Sequence, residues 1–177
     1  YPLGIQHKDG HITPVLYNAS VYRDEYGKII GVFAAARDIT EIQKAEETIQ
    51  TLANVVESSE DAIITKSLDG IITSWNKGAE QVYGYSAKEI LGKHASIVAP
   101  SHLDKETLKL IEEIKHGEKV QRYETLRLRK DGKKIYVSIT FSPVFDTNGK
   151  LSAVSFISRD ITERKKAEEA LRNFEIA

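Results

Sequence analysis

The sequence contains no cysteine. Disulfides, thiolate nucleophiles and cysteine-ligated metals are therefore excluded, and the composition fits a reducing cytoplasm. No apolar run approaches the ~20 residues a membrane-spanning helix needs, and no signal peptide is recognisable. Neither sign of charge predominates: 25 Lys and Arg stand against 26 Asp and Glu, a net charge of −1. Nothing therefore points to nucleic acid or to an acidic membrane surface. A Gly-rich phosphate loop is missing too, because Gly27-Lys28 and Gly149-Lys150 fall in hairpin turns rather than a Walker pattern. The five histidines, His7, His11, His94, His102 and His116, lack metal-ligand spacing and read as surface residues. Ser58-Ser59 has no base beside it, and Asp131 and Asp146 read as turn residues, so no catalytic group is indicated. We expect a cytoplasmic, non-catalytic chain with no metal and no direct contact with nucleic acid or membrane. A membrane anchor could still lie outside the fragment.

What is present is a repeat. Apolar content of 41% and charged content of 29% are ordinary for a globular protein. Lys8-Asp9-Gly10 through Asp38-Ile39-Thr40 recurs, without a gap, as Lys130-Asp131-Gly132 through Asp160-Ile161-Thr162, an offset of 122 residues. Asp24 matches Asp146, and Arg37-Asp38-Ile39-Thr40-Glu41 matches Arg159-Asp160-Ile161-Thr162-Glu163. Each copy reads as a three-strand antiparallel meander turning into a helix. The interval measures out one domain plus one linker.

Taken in order, residues 1–40 read as the tail of a domain whose front is missing. Val15, Tyr17, Ala19 and Val21 alternate with polar residues as a half-buried strand does. Three strands cannot bury their own apolar face, so a partner chain or the following domain is expected to cover it. Residues 41–58 form a linker helix, capped by Asp38 or Thr40. On it Ile42, Ala45, Ile49, Leu52 and Val56 repeat at 3-4-3-4 intervals, the seam of a coiled coil. Packing of this stripe on the chain's own sheet is the alternative. Residues 59–162 make a complete domain: two strands about Asp69-Gly70, short helices begun by Asn76 and by the Ser86-x-x-Glu89 box, and a longer helix from Ser101 to Gly117. Three strands follow, Val120 to Arg129, Ile135 to Val144 and Leu151 to Ile161. This order implies an α+β fold, a five-stranded antiparallel sheet with helices gathered on one face. Residues 163–177 begin a second linker helix in register with the first.

Glu57 to Ile64, Gly70 to Asn76, Tyr83-Gly84-Tyr85-Ser86, Glu89 to Lys93, Arg129 to Gly132 and Arg159 to Arg164 carry, by their order and spacing, a family likeness. Residues 55–164 resemble a PAS sensor domain with its C-terminal PAC motif, and residues 8–40 resemble the end of a preceding one. The resemblance implies the PAS fold and a module of a multi-PAS signalling protein, such as a sensor histidine kinase or a cyclic-nucleotide enzyme. Neighbouring PAS and output domains and a second copy of the chain are the partners it implies, within a two-component system. No cofactor is expected, though an unidentified small ligand is allowed. A flavin- or haem-binding redox or gas sensor is the alternative. Against a flavin photo-adduct, Ala95 stands where the reactive cysteine would sit. Against haem, the long helix carries Glu106 near the ligand position, with His102 and His116 at its ends.

In that family the ligand cavity lies between sheet and helices. Alternation gives the candidate lining: Val137, Ile139 and Phe141 on one strand face, and Val154, Phe156 and Ser158 on another. On the first of the three strands, apolarity alone turns Leu126 and Leu128 inward. The family frame instead turns Tyr123, Thr125 and Arg127 inward. An inward Arg127 could clamp a carboxylate; otherwise it is a solvated strand end. Trp75, Tyr83 and Tyr85 read as core and edge packing rather than ligand contacts. Arg159, Asp160 and Thr162 lie where the last strand becomes a helix, and we expect them to relay the signal.

Overall fold

The computed structural model describes residues 2–99 and 122–175, which fall in two compact units, residues 1–54 and 55–177. The long helix expected from Ser101 to Gly117, with His102, Glu106 and His116, lies outside the described residues.

In the first unit, β1 (Pro2–Gln6), β2 (Ile12–Arg23) and β3 (Ile29–Asp38) form a three-stranded antiparallel sheet in the order β1-β2-β3. Large apolar side chains stand open on it, among them Leu16, Val21, Val32 and Phe33. Helix α1 (Thr40–Ser58) follows and crosses the boundary between the units.

The second unit holds β4 (Ala62–Ser67), β5 (Ile72–Trp75), α2 (Lys77–Tyr83), α3 (Ala87–Ile90), a 3₁₀ turn (Ala95–Val98), β6 (Tyr123–Leu128), β7 (Lys134–Phe145), β8 (Leu151–Asp160) and α4 (Thr162–Glu175). Its sheet is five-stranded and antiparallel, ordered β5-β4-β8-β7-β6. Period-two alternation points Ala62 and Ile64, Val154 and Phe156, and Val137, Ile139 and Phe141 to one face. There they form the core with Ile72, Trp75, Ala79, Val82, Tyr83 and Ile90. Helix α2 can approach because Gly78 has no side chain: a Cβ there would stand 2.6 Å from Ser59 O.

The two sheets repeat register by register. Val15 pairs with Asp38 as Val137 pairs with Asp160. Asp24 Oδ1 accepts from Tyr26 N at 3.0 Å and Lys28 N at 2.9 Å, and Asp146 Oδ1 accepts from Asn148 N and Lys150 N, both at 2.9 Å. Each such Asx turn ends on a glycine in the left-handed region, Gly27 at φ +80° and Gly149 at φ +76°. Asp38 and Asp160 each accept from the amide two residues on, Thr40 N and Thr162 N, both at 2.8 Å.

Candidate functional site

A cavity of about 400 Å³ lies in the second unit between the sheet and the α2 and 3₁₀ segments. Its floor comes from β4 (Ile64, Lys66), β7 (Ile139), β8 (Phe156, Ser158) and β6 (Arg127), and its walls include Trp75, Tyr83, Ala95 and Val98. Apolar and aromatic groups therefore surround a few polar ones, the usual composition of a small-molecule site.

Of the nine sequence-expected lining residues, Arg127, Ile139, Phe156 and Ser158 reach the cavity, and Tyr123, Thr125, Val137, Phe141 and Val154 do not. The reason is packing along one face. Val137 is fully buried in the core, and Phe141 meets Phe156 edge-on with ring centroids 4.8 Å apart. Tyr123 packs against the core's margin and Thr125 is half-buried. Register sets the orientation of β6: Tyr123 pairs with Ile139, Thr125 with Val137 and Arg127 with Ile135, all on the inward face. Leu126 and Leu128 stand half-buried on the other face. Arg127 is 7% exposed and is no solvated strand end.

Three residues join the wall that sequence reasoning did not assign to it. Lys66 continues the inward series Ala62, Ile64 and is 6% exposed, its Nζ 4.7 Å from the centre of the Phe156 ring. Trp75 and Tyr83 belong to the core and also face the cavity. Trp75 Nε1 donates to Tyr85 O at 3.0 Å, and Tyr85 itself is half-buried against the core. The Tyr83 hydroxyl and Ser158 Oγ share a buried hydrogen bond of 2.9 Å. Burial pushes the Tyr83 hydroxyl above its ordinary pKa, despite the opposing bond from Ser158 and the charge of Arg127. Tyr83 is consequently a neutral phenol at physiological pH.

The cavity leads directly to the end of the sheet. Ser158 is followed by Arg159, whose guanidinium donates to both carboxylate oxygens of Asp61, at 2.9 and 2.7 Å. Those bonds, outweighing partial burial, hold the Asp61 carboxyl below its usual range. Asp160 then accepts from Thr162 N at the start of α4. Thr162 Oγ1 accepts from Tyr136 N at 3.0 Å, and Ile161 N donates to Tyr136 O at 2.9 Å, so the first turn of α4 is sewn to β7. Lys165 and Arg164 pair with Glu124 of β6, and these bonds lower the Glu124 pKa.

On α1 no residue is buried: Ile42, Ile49 and Leu52 are 51%, 67% and 61% exposed, and Ala45 and Val56 are exposed as well. Among the described residues no group of three or more His, Cys, Asp or Glu is placed to hold a metal, and no helix is long and apolar enough to cross a membrane. Ala95 lines the cavity beside Ser96 and Val98.

Known proteins share this arrangement. The PAS domain family model matches residues 1–41 and 60–163. The chain is similar to Two-component system protein A of Emericella nidulans, 32% identical over 126 residues, covering 71% of this chain and 18% of that protein. It is similar also to the Biofilm dispersion protein BdlA of Pseudomonas aeruginosa, 26% identical over 150 residues, covering 84% of this chain and 36% of that protein. The chain thus spans well under half the length of these curated relatives. Among solved structures, the PAS domain of a protein from Colwellia psychrerythraea is 27% identical with a TM-score of 0.61, covering 66% of this chain and 98% of that one. With 145 of 177 positions inside the matched segments (41 and 104), the chain belongs to the PAS domain family.

Proposed function

We propose that the chain is a sensory module of a multi-PAS signalling protein, in which the state of the cavity biases the helix that follows β8. One observation carries this reading: Ser158 lines the cavity, and two residues later Asp160 caps α4. A ligand or a repacked core that moved β8 would move the helix with it, a coupling between a packed domain and a bistable helix pair. In this reading residues 59–162 are one complete PAS domain and residues 1–40 the C-terminal part of a preceding one. Residues 41–58 and the segment from 163 are coiled-coil linkers to neighbouring domains. The uncovered stripe of Ile42, Ala45, Ile49, Leu52 and Val56 supports a homodimer, because exposed apolar seams of this spacing are buried by a second helix. Similarity to a two-component system protein supports a cytoplasmic regulatory role, with any catalytic output in another domain.

The test is Asp160→Ala in a full-length protein containing this chain. The cap is worth about 1 kcal/mol, so the domain should stay folded while output loses its dependence on the stimulus. Normal switching in that variant refutes the relay. For the seam, sedimentation of the 177-residue chain should read a dimer, and Leu52→Lys a monomer. A wild-type monomer at high concentration removes the seam from the proposal.

A further inference from the structure

Two hydroxyls face the cavity with more hydrogen-bonding capacity than they spend. Tyr83 and Ser158 both line it and are 2% and 1% exposed. One bond of 2.9 Å joins them, and it uses one proton and one lone pair. Each hydroxyl carries its own proton, and burial keeps the Tyr83 phenol from losing its. Whichever oxygen donates, one proton is left over. Among the described residues neither oxygen has another partner. A buried donor without an acceptor is costly, so such groups in native proteins are matched by protein, water or ligand. The other polar groups of the wall are engaged or exposed. Trp75 Nε1 donates to Tyr85 O, Lys66 Nζ lies 4.7 Å from the centre of the Phe156 ring, and Arg127 Nη1 donates to Leu126 O and Thr125 Oγ1. Asp69, His94 and Ser96 are exposed. Around the hydroxyl pair the wall is largely apolar and aromatic: Ile64, Ile72, Trp75, Ile139, Phe156.

We propose that the cavity binds an uncharged aromatic carbonyl compound, whose oxygen accepts the spare proton of the Tyr83–Ser158 pair and whose ring packs among Trp75, Phe156 and Ile139. This ligand class rests on the sensory reading of the cavity and deepens it. A hydroxyl pair supplies a directed hydrogen bond and no charge. An ionised ligand would have to shed its water against a largely apolar wall, a cost that one neutral hydrogen bond does not offset. About 400 Å³ lies near the lower end of the roughly 300–1,000 Å³ range for small-molecule pockets, which fits a single-ring body. Ser158 stands two residues before Asp160, so a bond made at its hydroxyl bears on the strand end that caps α4.

NMR titration of the 177-residue chain reads binding at its single indole N–H, Trp75 Nε1, in the cavity wall. The probes are acetophenone, its hydrocarbon isostere α-methylstyrene, and benzoate. Acetophenone should bind saturably and more tightly than benzoate. In the double variant Tyr83→Phe/Ser158→Ala, acetophenone should bind about fivefold more weakly, the loss of one neutral hydrogen bond, with α-methylstyrene unchanged. Both hydroxyls are removed together because either one alone can still donate to the ligand, and because removing both leaves no buried orphan. Should the double variant not fold, the wild-type chain reports by infrared: the carbonyl stretch of bound acetophenone should lie below its value in hexane. No binding of acetophenone, tighter binding of benzoate, a double variant that treats ketone and hydrocarbon alike, or a bound carbonyl stretch equal to that in hexane each overturns the proposal. Equal treatment of ketone and hydrocarbon would leave an apolar-ligand sensor standing. Retained switching in Asp160→Ala would instead remove the relay and leave the carbonyl site intact.

Discussion

Asn76→Ala tests the connection of the second unit to the helix before it. Asn76 is 2% exposed, and its amide makes four hydrogen bonds, all to backbone groups. Oδ1 accepts from Ile63 N at 2.8 Å and Ala79 N at 2.9 Å; Nδ2 donates to Val56 O at 2.8 Å and Asp61 O at 3.1 Å. The last turn of α1, the start of β4 and the first turn of α2 thus meet on one side chain. Alanine removes all four bonds. Each is worth about 1 kcal/mol net, and each partner left buried without water costs about 1–3 kcal/mol. Val56 is 39% exposed, so its carbonyl can rehydrate, whereas Ala79 is fully buried. The sum is a loss of about 3–5 kcal/mol. A residue serving only as a helix cap would cost about 1 kcal/mol, so the two accounts differ several-fold.

The assay is provided by the single tryptophan, Trp75, next to Asn76. Its fluorescence in a urea titration reads the second unit and not the first, since residues 1–54 contain no tryptophan. Hydrogen exchange should show the amides of Ile63 and Ala79 losing protection first. A variant within about 1 kcal/mol of wild type would refute the four-bond assignment and leave the cap alone.

Two further outcomes follow from hydroxyls and charges. Ser158→Ala leaves the buried Tyr83 hydroxyl without its partner and should cost about 1–3 kcal/mol. Ser138→Ala deletes a buried hydroxyl that has no hydrogen-bond partner among the described residues, and should be neutral or stabilising by up to about 1 kcal/mol. Equal costs in the same urea assay would contradict this assignment of polar partners. In acid, Glu89 is the group to follow. Lys130, then the amide and hydroxyl of Ser86, hold its carboxyl at about 2, down from an ordinary 4.5. A depressed acid contributes stability above its unfolded pKa, and that contribution disappears as pH falls from 4.5 through about 2. An NMR titration should find Glu89 in that low range and find it raised in Lys130→Met; an ordinary value in the wild-type chain would refute the pairing.

Much of the fold was legible because its determinants are local. Asx turns at Asp24 and Asp146, the Ser86 to Glu89 contact and the left-handed glycines depend on neighbours a few residues away. Alternation along β7 and β8 likewise gave the correct inward faces. Alternation names a face, however, and not the part of it that helices leave open. Val137 and Phe141 share a face with Ile139, but core packing covers them. Lys66 escaped notice because a lysine after Ala62-Ile63-Ile64-Thr65 reads as a solvated strand end. Its inward direction is fixed by pairing with Val154, far along the chain. Arg127 needed the register with Ile135 for the same reason, and Tyr83 needed a partner 75 residues away. Asn76 was readable as a cap, but its bonds to Val56, Asp61 and Ile63 span 13 to 20 residues and leave no local trace.

Those bonds also hold the last turn of α1 to the corner where β8 ends. Asp61 receives Asn76 on its carbonyl and Arg159 on its carboxylate, so a chain of contacts runs from the last turn of α1 to the end of β8. Its links are unequal. Arg159 is 63% exposed, and an ion pair so open to solvent is worth at most about 1 kcal/mol and weakens with salt. Asn76 is buried, and the backbone ladder from Ala62–Ser158 to Ser67–Ala153 is continuous. The amide and the ladder therefore contribute more to holding the last turn of α1 and the end of β8 at this corner than the exposed ion pair does.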